Sequence, residues 1–510
     1  MKILNAKQLY DADKITLERQ GISSGELMER AALQVFDWMH SRMQGAPVKI
    51  HLFCGVGNNG GDGLVLARHL RQHAYNISVY VVNFGEKRSK DFLINLDRLK
   101  EDGVWPDFLD GESDFPVIGK EDIVVDGIFG IGLNRGPGVW VTDLIRHLNG
   151  SKAFILSLDI PSGLFMDQGV PDTSGVVRAS YVLSFQAPKL VFFLPGTGIF
   201  VDHWEVLDIG LDREFLRSVP ADYELVGKPE ILALYRPREK FSHKGTYGHS
   251  LIIGGSYGKI GAVILASKGS LYAGCGLVTA YVPKCGYVPL QAGFPEAMVI
   301  TDKEDGEIGD IQFSMTPSVI GIGMGMGTGM ATVSAFSKFL KSNRSALVID
   351  ADGLNILSQC PDLLFAMPPQ TVLTPHPKEL ERLIGEWKDD LDKLEKAGEF
   401  SKKYDCILVI KGAHTLTVYG GRGYVNTTGN PGMATGGSGD VLAGIICGLI
   451  AQGYSPLHAA IFGVFLHGRA ADIAIGECGF QSLIASDILA HLGKAYLDLF
   501  RGSEEGEGAQ

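Results

Sequence analysis

The stretch GNPGMATGGSGDVLAG, from Gly429 to Gly444, sets closely spaced glycines before an apolar run, with a single carboxylate, Asp440, at the junction. Gly436, Gly437 and Gly439 allow a sharp turn that brings successive N–H groups to one point. DVLAGIICGLIAQG then starts a helix, whose unpaired N–H groups and positive dipole end face the same place. That is a seat for phosphate. A carboxylate at its rim is costly unless it works, for instance by taking a proton from a hydroxyl that attacks phosphorus. The plain alternative makes Asp440 the N-cap of that helix, and spacing alone leaves both readings open.

A second set of loops lies in the N-terminal half. GVGNNGGDGLVLARHL (55–70) again places glycines between a strand and a helix, which suits phosphate but also suits a tight turn. VVDGIFGIGLNRGPG (124–138) and LDIPSGL (158–164) end two further strands and carry Asp126 and Asp159. On spacing alone, Asp126 also reads as an N-cap or a buried hydrogen-bond acceptor.

These loops need a scaffold. KIHLFCG, ISVYVVNF, DIVVDGIFG, AFILSLDIPSG and YVLSFQAP read as buried strands, and GELMERAALQVFDWM has the 3.6-residue period of a half-buried helix. HSLIIGG, LVTAYVP, SVIGIGMG, ALVIDADGL, QTVLTPHP and CILVIKG form a second set, followed by a hairpin, HTLTVYGGRGYVNTT, with a Gly-Gly turn. Strands alternating with helices predict parallel sheets covered on both faces, with ligands beyond the carboxyl ends of the strands. The Pro-containing, charged stretch from about Leu211 to Lys244 reads as a linker and the entry to a second domain.

Composition narrows the classes. At 510 residues the chain is long enough for two or more domains. Its 66 glycines are roughly twice the usual share of about 7%, with no collagen-like period, so they belong to turns and ligand loops. A net charge of −12 argues against nonspecific binding to nucleic acid or an anionic membrane. Seven scattered cysteines without a CxxC pair fit free thiols in a reducing compartment rather than disulfides or a zinc site. The N-terminal stretch is too charged for a signal peptide, and the apolar run VLAGIICGLIAQG is shorter than the ~20 residues that cross a bilayer. A cytoplasmic protein without a membrane span is expected.

With HKGTYGHSLIIGGSYGKIGAVILASKG (243–269), VIDADGLN (348–355), LTPHPKELERLI (373–384) and VIKGAHTLTV (409–418), the Asp440 loop resembles the ADP/ATP-dependent NAD(P)H-hydrate dehydratase family, a branch of the ribokinase-like superfamily. The resemblance covers about 222–500. It implies that Lys411, Gly412, Ala413, His414 and Thr415 hold the nucleotide together with Asn430, Pro431, Gly432, Met433, Ala434, Thr435, Gly436, Gly437, Ser438 and Gly439. It also implies that Asp440 is the base on the substrate hydroxyl, and that Ala262, Gly325 and His376 contact the hydrated dinucleotide. His376, between two prolines, also reads as an ordinary hydrogen-bonding loop residue. Mg²⁺ with ADP or ATP is implied as cofactor. Where the family carries GPGLG, this chain has GIGMG (321–325), losing a proline and keeping its glycines.

The N-terminal loops, with LMERAA and FQAPK, resemble the NAD(P)H-hydrate epimerase family over about 1–215. That resemblance implies that Asn58, Asn59, Gly60, Gly61 and Asp62, with Gly130, Ile131, Gly132, Leu133, Asn134, Arg135 and Gly136, hold the ligand. Asp159 is implied as the acid/base residue, and Asn59, Asp126 and Ser162 as ligands of K⁺. Ile131 stands where the family often has threonine, removing one hydroxyl.

The two resemblances imply two α/β domains: a Rossmann-like three-layer sandwich over 1–216 and a ribokinase-like three-layer sandwich over 222–510, joined through a linker and entry-strand region at 217–240. Together they imply a bifunctional repair enzyme that interconverts the R and S forms of hydrated NADH or NADPH. It dehydrates the S form at the expense of ADP or ATP, by phosphorylation of the ring hydroxyl and elimination. The implied partners are small molecules, with neither nucleic acid nor membrane, and self-association is open. Two rival readings stand: a ribokinase-like small-molecule kinase, which leaves the N-terminal half unexplained, and a non-catalytic N-terminal binding domain.

Overall fold

The computed structural model describes residues 1–501, which divide into two compact units meeting in sequence at Tyr223 and Glu224.

The N-terminal unit is built on β1 (Lys49–Cys54), β2 (Asn76–Val82), β3 (Asp107–Leu109), β4 (Ile123–Gly127), β5 (Phe154–Leu158), β6 (Ala179–Phe185) and β7 (Val201–Leu207), in the order β3-β2-β1-β4-β5-β6-β7. Every neighbouring pair is parallel. The alternation of β1 shows why both faces need cover. Ile50, Leu52 and Cys54 enter one apolar cluster with the helices Ser24–Met43 and Asn58–Gln72, while Phe53 enters another with the helix Val139–Gly150. The chain order reverses between β1 and β4, so their carboxyl ends open the crevice where such sheets bind ligands. Both loops read as phosphate-binding start there.

The C-terminal sheet carries β8 (His249–Ile253), β9 (Leu277–Val282), β10 (Met298–Thr301), β11 (Val319–Ile322), β12 (Ala346–Ile349), β13 (Thr371–Leu373), β14 (Cys406–Ile410), β15 (Leu416–Tyr419) and β16 (Arg422–Asn426). Their order is β16-β15-β14-β13-β12-β11-β8-β9-β10, parallel except for the β14–β15 and β15–β16 pairs. The expected hairpin is β15–β16, and Gly420 and Gly421 turn it with φ of 58° and 85°. Here the order reverses between β8 and β11.

One apolar cluster joins the helices Ile260–Tyr272, Ser438–Ala451, Pro456–Ser482 and Ala485–Asp498. The first two pack backbone to backbone. A Cβ on Gly444 would lie 2.0 Å from the Ala266 carbonyl oxygen, one on Gly448 2.3 Å from that of Ser270, and one on Gly269 2.6 Å from that of Val441.

The stretch read as a linker and the entry to a second unit carries the helix Arg213–Ser218, the strand Tyr223–Val226 and the helix Lys228–Leu234, and the two units divide within it. Asp212 caps the first of these helices, accepting from the Phe215 N–H at 2.7 Å. The helical segment Pro456–Ser482, which breaks at Gly479 with φ 71°, is by length and composition long and apolar enough to cross a membrane. Contiguous apolar runs do not show this, because Arg469 and Asp472 interrupt the apolar stretch. Most of its apolar window is buried in the core cluster.

Candidate active sites

In the N-terminal unit, Asn58, Asn59, Asp62, the run Gly130 to Gly136, and Asp159 line one cleft of about 690 Å³. Gly60 and Gly61 do not line it. The helix starts at Asn58, earlier than the glycines suggested, and both glycines sit inside its first turn. A Cβ on Gly60 would lie 1.7 Å from the Gly55 carbonyl oxygen, and one on Gly61 2.7 Å from the Met28 methyl. They are there for close packing, which seats the helix N-terminus on β1.

Asp159 follows β5 in a left-handed conformation, φ 65°, so its side chain leaves the strand direction. Its Oδ1 accepts from the Phe185 N–H at 2.8 Å and from Lys189 Nζ. The Lys189 side chain is wholly buried, and its ammonium also reaches Ser184 Oγ at 2.7 Å and the Phe185 and Ala187 carbonyls at 3.1 Å. Burial pulls the Lys189 ammonium down, and the Asp159 carboxylate opposes that. Two more carboxyls share the cleft. Burial, then Asp159 and Asp13, hold Asp62 well above the usual carboxylate range, while burial and Asp159 push Asp13 up to about 6.

Asp126 and Ser162 are fully buried beside the cleft. Asp126 accepts from Ser162 Oγ at 2.5 Å, Ser157 Oγ at 2.7 Å, and the N–H groups of Ser162 and Ile128 at 2.9 and 3.3 Å. Burial raises its pKa and these bonds oppose the rise. Asn59 Nδ2 donates to the Phe129 carbonyl at 3.0 Å, and the Phe129 N–H donates to Ser162 Oγ at 2.8 Å. Asn59 and Ser162 therefore meet at Phe129, with Asp126 bonded to Ser162 behind them, and Asp126 is the buried acceptor of the plain reading as well.

Tyr10, Asp13, Phe84, Phe129, Trp140 and Phe185 also line the cleft and escaped the sequence reading. The motif FQAPK was noticed, yet the role of its Lys189 was not; a lysine closing a strand-end loop was the available signal.

In the C-terminal unit, Gly437 is the N-cap of the helix Ser438–Ala451, at φ 86°, and no side chain caps it. Asp440 is therefore the third residue of the helix and does not cap it. Its carboxyl is pushed up to about 7 by burial and by the Asp350 and Asp352 carboxylates, against the pull of Lys411. Lys411 Nζ donates to Asp350 Oδ1 at 2.9 Å and lies 3.9 Å from Glu379 Oε2. Burial works against its charge, but those carboxylates outweigh it and hold the ammonium above the ordinary lysine value. A Cβ on Gly439 would lie 3.3 Å from Lys411 Nζ, so the lysine sits against the first helical turn.

His376 caps the helix Pro377–Ile384, accepting the Lys378 N–H on Nδ1, with Nε2 3.3 Å from Glu379 Oε1. Burial and the Lys411 and Arg382 charges keep its pKa below the ordinary histidine value. Gly325 and Ala262 meet at the β8–β11 reversal, where a Cβ on Gly325 would lie 3.2 Å from that of Ala262. Lys259, beside them, reaches Asp352 at 3.7 Å, and Asp352 accepts from the Gly327 N–H at 2.8 Å.

The loop residues close in behind. Pro431–Met433, with Gly432 between them, form a short helical turn capped by Asn430 and Ala434 and followed by Thr435, anchored where Asp472 accepts from the Gly429 N–H and Asn430 Nδ2 at 3.0 and 2.9 Å. Ser438 Oγ pairs with the buried His467 at 3.2 Å. Lys411 to Thr415 turn from β14 into β15, with Thr415 Oγ1 donating to the Gly412 carbonyl at 3.4 Å. Asp350, Glu379 and Asp472 had gone unread, because isolated carboxylates in motifs look alike until a partner is known.

A Rossmann-ordered unit and a ribokinase-like unit, each with its polar loops at a reversal of strand order, define a two-domain α/β protein that handles nucleotides. Residues 250–493 match the family model described as NAD(P)H-hydrate dehydratase, and residues 24–191 the one described as YjeF-related protein N-terminus. The bifunctional NAD(P)H-hydrate repair enzyme of Moorella thermoacetica is 34% identical over 510 residues, covering 96% of each chain. That of Coxiella burnetii is 35% identical over 491 residues, covering 95% of this chain and 97% of its own. The ADP/ATP-dependent NAD(P)H-hydrate dehydratase of Bacillus subtilis, co-crystallised with ATP and Mg²⁺, is 27% identical, with a TM-score of 0.47 over 54% of this chain and 97% of that one. The chain belongs to the family of bifunctional NAD(P)H-hydrate repair enzymes.

Proposed function

We propose that the unit over 222–510 dehydrates the S form of hydrated NADH or NADPH with ADP or ATP, and that the unit over 1–216 interconverts the R and S forms. The observation that carries the first assignment is Asp440: a carboxyl pushed up to about 7, beside Lys411, in the first turn of a helix capped by glycine. A base with that affinity for protons is matched to neutral pH. Asp440 takes the ring hydroxyl's proton as its oxygen bonds the terminal phosphorus, and the bond from phosphorus to the nucleotide breaks. The free N–H groups of the helix start and the Lys411 ammonium face the charge that develops. The ring nitrogen's electron pair then expels phosphate, and loss of the neighbouring C–H proton restores the dihydronicotinamide. Lys411 to Thr415 and Asn430 to Gly439 hold the nucleotide in this reading, and Ala262, Gly325 and His376 the dinucleotide.

Among the described residues, no cluster of three or more His, Cys, Asp or Glu is arranged to hold a metal. That fits Mg²⁺ arriving on the nucleotide phosphates, where it neutralises their charge. In the N-terminal unit, Asn59, Asp126 and Ser162 offer hard oxygens with a single negative charge, which suits K⁺. Free cysteines fit a cytoplasmic setting.

The test uses separated epimers and the full chain, following NADH absorbance with chromatography of what remains. Asp159→Ala stops interconversion and leaves dehydration of the accepted epimer, so a mixture stalls once that epimer is spent. Asp440→Asn gives the mirror image, and exchanging K⁺ for Li⁺ slows interconversion alone. Full conversion of the mixture by Asp159→Ala at the wild-type rate overturns the assignment of the N-terminal unit, and normal NADH formation by Asp440→Asn overturns that of the other.

A further inference from the structure

The cleft of the N-terminal unit holds three carboxyls, Asp13, Asp62 and Asp159, and one buried cation, Lys189. Lys189 is bonded to Asp159 alone among the described carboxylates. Asp13 comes from the helix Ala6–Gln20 and has no hydrogen-bond or ion-pair partner among the described residues, although it faces Asp159, Asp62, Lys189 and, on its own helix, Tyr10. A carboxyl left unpaired in a cleft beside a lysine-paired carboxylate is a proton donor next to a proton acceptor.

Resting on the epimerase reading above, we propose that Asp13 is the general acid that works with Asp159 as base, by opening and reclosing the hydrated ring. The hydroxyl proton passes to the Asp159 carboxylate, the oxygen becomes a carbonyl, and the ring carbon–nitrogen bond breaks with its electron pair on nitrogen. Asp13 gives that nitrogen a proton. Rotation of the freed aldehyde presents its other face, the nitrogen attacks, its proton returns to Asp13, and the oxygen takes its proton back from Asp159. Nothing is consumed, and both carboxyls end as they began.

Asp62 is the other unpaired carboxyl. Burial and the Asp159, Asp13 and Asp91 charges hold it well above the ordinary range, and the Asp62→Asn variant below separates its role from that of Asp13. Asp13, pushed up only to about 6, can give a proton and recover it.

The experiment follows interconversion of separated epimers by full-length Asp13→Asn, Asp13→Glu and Asp62→Asn, with circular dichroism and thermal unfolding to establish the fold. Interconversion by Asp13→Asn is expected to fall about 10²–10⁴-fold, with partial recovery in Asp13→Glu. In the wild type, kcat/KM for interconversion falls as pH rises through about 6, where Asp13 loses the proton it must give, and this fall disappears in Asp13→Asn. Wild-type interconversion by Asp13→Asn, an unchanged fall with pH, or loss of that fall in Asp62→Asn instead overturns the proposal. A wild-type enzyme that does not interconvert the epimers overturns the epimerase reading, not the choice of Asp13.

Discussion

Asp440→Asn should cost activity and increase stability, and both effects follow from one displaced proton. The folded state holds the Asp440 carboxyl at about 7 against an ordinary 3.8, by burial and by the neighbouring Asp350 and Asp352 charges. About 3 pKa units at 1.36 kcal/mol each make the ionised form about 4 kcal/mol less favourable in the folded chain. In the unfolded chain the group ionises at its ordinary value, so the folded state binds more protons in between. Stability therefore falls as pH rises from about 4 to about 7, and the whole cost is present at pH 8. Asparagine carries no such charge. The variant should unfold at higher temperature than the wild type at pH 8, by about 10 °C at about 2–4 °C per kcal/mol, with the gap closing towards pH 4. The assay is nucleotide-free thermal unfolding across pH, beside dehydration kinetics. Wild-type kcat/KM rises as pH rises through about 7, because the base must be free of its proton, and the variant loses about 10²–10⁴-fold in rate. An equal or lower unfolding temperature for the variant at pH 8, or wild-type dehydration flat between pH 6 and 8, refutes the reasoning.

Lys411→Met strands Asp350, only 2% exposed, and should destabilise the chain by about 3–5 kcal/mol in chemical denaturation. It also removes the cation that lowers the Asp440 pKa, so the rise of dehydration with pH moves to more alkaline values, and a limb that stays put or moves to acid counts against the pairing. Gly437→Val forces a branched residue into φ 86° with its Cβ 2.5 Å from Leu265 Cδ1. Nucleotide affinity by calorimetry should drop about 5- to 150-fold for the ~1–3 kcal/mol of backbone strain, and an unchanged affinity refutes the seat.

The strands were legible because β-branched runs ending in Gly or Asp have no other stable use, and Gly420-Gly421 between two such runs can only be a hairpin turn. What was misread concerns where helices begin. Gly60, Gly61 and Gly439 look like loop residues, since glycine weakens a helix. Each lies inside one, where another backbone or side chain leaves no room for a Cβ or little to spare. The earlier start makes Asp440 the third residue of its helix and removes the capping alternative, a difference that spacing cannot resolve. Asp13 and Lys189 were invisible for another reason. Their local sequence is that of an ordinary amphipathic helix and a strand-end loop, and only tertiary folding brings Asp13 to Asp159, 146 positions further along the chain.

The glycine seam between the helices Ile260–Tyr272 and Ser438–Ala451 has a consequence for how this chemistry can evolve. One helix carries Ala262, on the side assigned to the hydroxyl, and the other begins at the seat assigned to the phosphoryl donor. Along the seam the gap between the two reactants is thus gauged by main chain against main chain at Gly269, Gly444 and Gly448. A methyl group at Gly444 or Gly448 would wedge the helices apart, and a misfit of about 1 Å in a reacting pair costs about 10²-fold. Loops at the rim can be exchanged to admit a different base, sugar or ring. The span across which phosphorus must travel is fixed by the skeleton, and a lineage that keeps the seam keeps that span.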